Sequence, residues 1–133
     1  MATEISAINV FNANELLQAW QGHRRHTRKV IEKFPEDKLF QFSIGGMRPF
    51  GDMAQEFIGM AVPVVDGLAT GKWEKFQGGK ATTKSELLRL WDEQTAALDK
   101  KFPQIPAHRF HEVDKAFGQW EAPGKATIAY VMD

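Results

Sequence analysis

The sequence predicts an all-α domain, a four-helix bundle with a long crossover connection before the last helix. Three observations carry that prediction. Apolar residues recur at three- and four-residue steps in three long segments, capping residues open two of them, and a proline-marked stretch at 103–122 breaks the period before a last apolar run. The 133 residues make one domain's worth of chain, 1–133. A hydrophobic content of 43 %, with four Trp and ten Phe, is enough to bury a core without a metal or a disulfide.

The first helix opens at Asn12, with Glu15 three residues on, an Asx version of the capping box. Leu16, Trp20, Val30, Ile31 and Phe34 follow at helical spacing, and Pro35 stops the run after about six turns. Steps of three and four from Leu16 through Trp20 continue to 23, 27, 30 and 34. They place His23 and Thr27 on the core-facing stripe, while Arg24, Arg25, Arg28 and Lys29 fall opposite or beside it as a solvated face.

Glycines and a proline punctuate 45–51, and the second helix begins near Pro49 or Phe50, since proline suits a first turn. Met53, Phe57, Met60, Val64 and Leu68 form its stripe, Pro63 predicts a kink or a local end, and Thr70-Gly71 closes it. The loop from Gly71 to Lys80 carries Trp73 and Phe76, expected to fold back onto the bundle. The third helix has Thr83 as cap and Glu86 as reciprocal partner, an apolar face of Leu87, Leu88, Trp91, Leu98 and Phe102, and a stop at Pro103. A short extended piece is expected between Val113 and Trp120. The fourth helix starts near Pro123-Gly124 with Ile128, Tyr130, Val131 and Met132, and reads as stopping in mid-helix at Asp133.

Composition narrows the chemistry. Seventeen basic and seventeen acidic residues cancel, which argues against a nucleic-acid or membrane partner. Cysteine is absent, so thiolate ligands and cysteine nucleophiles are excluded. Met1 to Asn9 lack a basic-then-apolar signal pattern, and the expectation is a soluble cytoplasmic protein.

Two residues stand out for chemistry. His23, on the predicted core face, is either a pocket histidine or a core histidine satisfied by a neighbour. Glu56 lies beside the stripe of the second helix, where a carboxylate must be paired, protonated or bound to a cation unless it reaches solvent. His108, His111, Glu112 and Asp114 could be drawn as a metal cluster, but they match no metal spacing and read as an ordinary polar loop.

The first helix with its aromatic and histidine, the turn Arg48-Pro49-Phe50-Gly51-Asp52-Met53-Ala54-Gln55-Glu56, and the segment Lys125 to Asp133 together resemble the DinB-like family, which includes the YfiT-type proteins. The resemblance implies a four-helix bundle, often a homodimer, and in many members a divalent metal (Ni, Zn or Mn) held by three histidines. One such histidine lies in the second helix and two lie four apart in the last. Here Glu56 stands at the second-helix position, and the histidine pair is expected beyond Asp133. A tight metal site in this chain is therefore not expected, although Glu56 with His23 could supply two ligands. The resemblance implies a metal-dependent hydrolase or thiol-dependent transferase acting on a small molecule. The alternative is a non-catalytic bundle with a degenerate site, kept for binding or dimerisation. A nucleic-acid module resting on residues 24–29 is the weakest reading.

Overall fold

The computed structural model describes residues 10–75 and 80–132. The expectations made for Met1 to Asn9, Phe76 and Asp133 lie outside the described residues. Four helices carry most of the chain: α1 (Ala13–Lys33), α2 (Phe50–Thr70), α3 (Lys84–Lys101) and α4 (Gly124–Met132). Two caps form as their sequences predict. The Asn12 side chain accepts from the Glu15 N–H at 2.7 Å, and Thr83 Oγ1 accepts from the Glu86 N–H at 3.2 Å. Each cap contributes about 1 kcal/mol.

The fold is mostly helical, but it also contains a small sheet. After two 3₁₀ turns, Phe102–Gln104 and Ala107–Phe110, β1 (Val113–Ala116) pairs antiparallel with β2 (Trp120–Pro123), Val113 opposite Pro123. The extended piece expected after Val113 is thus one arm of a hairpin. Its turn places Phe117 and Gly118 in the left-handed region, φ 55° and 70°, and the Phe117 ring packs edge-on against Trp73 at 5.1 Å. Trp73 does fold back, its Nε1 donating to Asp114 at 3.2 Å.

Side-chain pairings set the helix directions. Gln21 reaches Asp99, Arg28 reaches Asp92 and Lys84 reaches the Glu32 carbonyl, so α1 runs antiparallel to α3. Gln94 reaches the Ile58 carbonyl and Lys101 reaches Asp66, so α2 runs parallel to α3. The end of α2 and the start of α3 therefore lie at opposite ends of the helix pair. The long stretch before α4 begins and ends beside the same apolar cluster, so it turns rather than crosses.

The core has two storeys. Leu17, Trp20, Val64, Leu68, Leu98, Phe102 and Ile128 build one, sealed by α4 and the 3₁₀ turns. Ile31, Leu39, Ala54, Ile58, Leu87 and Trp91 build the other, covered by the 34–49 segment. The close approach of that segment explains Gly51. Its N–H donates to the Leu39 carbonyl at 2.8 Å, and a Cβ there would meet the Phe40 ring.

The stripes match their predicted registers in part: Trp20, Ile31, Val64 and Leu68 are buried as predicted, and other positions differ. In α1 the buried set is Leu17, Trp20, Gln21, Arg24 and Ile31, while His23 is exposed and Val30 is 46 % exposed. Arg24, expected on the solvated face, is buried at 5 % exposure. In α2 the buried face includes Ala54, Ile58, Ala61, Val65 and Leu68, small enough in part to let α3 approach, and Phe57 is left outside. Pro63 does not end the helix, which continues to Thr70. Among the described residues no helix is long and apolar enough to cross a membrane.

Candidate functional site

Helices α1 and α2 both rest on α3, and α4, nine residues long, seals only the first storey. A cavity of about 480 Å³ remains between α1, α2 and the end of α4. That is within the ordinary range for small-molecule sites. About two turns of α1 line it with Trp20, His23, Arg24 and Thr27; α2 supplies Glu56, Phe57 and Met60. Tyr130, Val131 and Met132 of α4 close the opposite side, with Arg48 ahead of α2 and Trp91 of α3 beneath. Tyr130 is largely exposed and stacks on Trp120 of the hairpin at 5.2 Å. The hairpin thus steadies one wall.

Arg24 dominates the electrostatics. Its Nε donates to Gln21 Oε1 at 3.1 Å and its Nη1 to Gln94 Oε1 at 2.8 Å. Nη2 donates to the Trp91 carbonyl at 3.1 Å and to Thr95 Oγ1 at 3.2 Å, and the guanidinium lies 4.4 Å from the centre of the Trp91 ring. Trp91 returns the contact, its Nε1 donating to the Arg24 carbonyl at 3.2 Å. Every acceptor on the guanidinium is neutral. Burial pushes the Arg24 pKa down to about 10, against the attraction of Asp92 and Asp99, so the group stays a cation at neutral pH.

The two residues singled out from sequence line this same cavity, His23 on the α1 wall and Glu56 on the α2 wall. Both are exposed, which corrects the expected burial of His23. Register explains it: α1 turns its Leu17–Gln21–Arg24 face to α3, leaving the adjoining His23–Thr27 face over the gap. Glu56 is ion-paired with Arg48 at 2.5 Å. A divalent metal in a resident site usually takes three or four protein donors. Among the described residues no group of three or more His, Cys, Asp or Glu is placed to hold one, and Arg48 sits on the carboxylate that would be needed. The donors present here do not fit a tight metal site.

The His108–Asp114 stretch closes on itself. His108 Nδ1 lies 2.7 Å from Glu112 Oε1, and that contact holds the Glu112 carboxyl below its usual range. Arg109 binds Asp114 at 2.7 Å and does the same there, while its Nε donates to the Leu68 carbonyl at the end of α2. These groups fasten α2 to the turn before the hairpin.

Sequence reasoning missed Arg24, Gln21 and Gln94. A signal existed: starting the period at Leu17 rather than Leu16 runs through Trp20, Arg24 and Ile31. No protein-family model matches the chain, and no curated protein matches it.

Proposed function

We propose that this chain is a DinB-like four-helix bundle whose cavity binds a small molecule without catalysing its conversion. The observation that supports this reading is the cavity itself, about 480 Å³ with apolar walls from Trp20, Phe57, Met60 and Tyr130 around a charged group. Concave, mostly apolar sites with a few polar groups are where proteins take small ligands. The test is calorimetric titration with 4-phenylbutan-1-ol, an amphiphile of suitable size. Saturable binding, lost in a folded Met60→Trp variant that fills the cavity, supports the reading. Binding that is unchanged in that variant overturns it.

A second reading is favoured by one observation, that His23 and Glu56 line the same space. It is the divalent-metal-dependent hydrolase or thiol-dependent transferase that the DinB resemblance implies, with these two residues as ligands. Elemental analysis of the purified protein, with its intact mass, separates the two. Close to one equivalent of Ni, Zn or Mn, lost in Glu56→Gln, favours the metal reading; a metal-free protein that binds the alcohol favours the first. The homodimer implied by the same resemblance is tested by sedimentation.

A further inference from the structure

The cavity is unbalanced in charge. Arg24 and Arg48 bring two cations to its lining, Glu56 brings one carboxylate, and Glu56 is already bound to Arg48. Arg24 has no such partner: Gln21, Gln94, Thr95 and the Trp91 carbonyl take four of its five N–H groups. The remaining Nη1 proton has no acceptor among the described residues. Asp92 and Asp99, which attract Arg24 through space, are engaged elsewhere. Asp92 is clasped by Arg28 through both oxygens, at 2.6 and 2.8 Å, and Asp99 accepts from Gln21 at 3.1 Å.

A buried cation among neutral dipoles is held in place but not neutralised, and an anion gains from meeting it there. The chain as a whole is neutral, so the excess belongs to this site rather than to a basic surface. One uncompensated charge matches a monoanion, and the apolar walls match an organic body. Inorganic phosphate, small and strongly hydrated, makes no use of those walls.

We infer that the cavity recognises a small organic monocarboxylate, its carboxylate drawn to Arg24 and its aryl or branched apolar body lodged among Trp20, Phe57, Met60 and Tyr130. The inference rests on the reading of the cavity as a small-molecule site. It names the ligand class which that reading leaves open.

The test titrates the full chain by calorimetry with three probes of one shape: 4-phenylbutyrate, 4-phenylbutan-1-ol and 4-phenylbutylamine. The acid is expected to bind about tenfold more tightly than the alcohol, the margin of a hydrogen-bonded charge, with the amine weakest. Arg24→Gln is expected to erase the acid's advantage. Because Arg24 also ties α1 to α3, Arg24→Lys and Arg48→Gln are measured beside it. The first keeps the charge and much of the preference, and the second cancels the net charge of the lining and cuts the acid-to-alcohol ratio several-fold. Equal affinity for acid and alcohol in the unmodified chain overturns the charge assignment while leaving the cavity reading standing. Failure of all three probes to saturate overturns both. Competition by inorganic phosphate at the acid's own affinity overturns the carboxylate class.

Discussion

Two faces of the stretch 20–28 of α1 make opposite use of polar side chains. On the face toward α3, Gln21, Arg24 and Arg28 are each tied across the seam, to Thr95 and Asp99, to Gln94 and Trp91, and to Asp92, and of these three Arg24 also lines the gap. Among the described residues no buried side-chain N or O atom lacks a hydrogen-bond partner. On the face toward α2, His23 and Thr27 look over an open gap, and Thr27 bonds only its own helix, to the His23 carbonyl at 3.3 Å. The seam separates the two apolar storeys and fixes how α1 lies on α3; the gap is where a ligand has room. A polar residue on a core-facing helix is thus a poor guide to function until its partners are known, because a satisfied network and an open site draw on the same residue types.

The comparison can be broken at several points, with effects that fall in a definite order. Trp91→Ala removes a fully buried ring that supports the Arg24 guanidinium and should cost about 3–5 kcal/mol, seen as a large drop in the urea midpoint. A loss under about 1 kcal/mol would mean that the seam does not hold the storeys together. Arg24→Met strands the Gln21 and Gln94 acceptors and is expected to cost about 2–4 kcal/mol. If this variant were instead as stable as the parent, the seam would be dispensable and the case for its structural role would fail.

Acid should act on the seam through Asp92. Its carboxyl is held below the usual range, first by hydrogen bonding to Arg28. A depressed folded pKa contributes stability above the unfolded value of about 3.9 and loses it as pH falls through the folded one. Asp92→Asn should therefore flatten the loss of stability below about pH 4 in acid unfolding curves. At neutral pH it should cost under about 1 kcal/mol, since the pair is partly solvated. An unaltered acid limb would show that Arg28 and Asp92 do not couple in solution. The smallest effect belongs to the gap: His23→Ala and Glu56→Gln should each shift stability by less than about 0.5 kcal/mol, because both side chains are exposed. A larger loss at either position would place that residue in the fold's support rather than at a site.

Much of the architecture was legible in the residues. Asn12, Thr83 and Gly71 mark helix ends through local hydrogen bonds and backbone freedom, and these act over three or four residues, within reach of a sequence pattern. Pro123-Gly124 marked the start of α4 for the same reason, and a Cβ at Gly124 would meet the Arg109 carbonyl. The hairpin was only half legible, since β1 and β2 have four residues each and too little alternation to show a period. His23 and Glu56 lie on or beside predicted stripes that match the buried faces only in part, at Trp20, Ile31, Val64 and Leu68. They nonetheless fall on the two walls of one cavity, because a residue about 100° from a buried position still borders the buried face.

By itself the sequence determined where the helices start, that they bury aromatic faces, and that neither cysteine chemistry nor a strong net charge is at work. Those properties are local or compositional. Only the tertiary structure decided that α2 and α3 run parallel, that Arg24 is buried among neutral acceptors, and that a gap opens between α1 and α2. Each depends on which helix lies beside which, and that is settled by contacts between residues about 35 to 80 positions apart, such as Gln94 with Ile58 and Gln21 with Asp99.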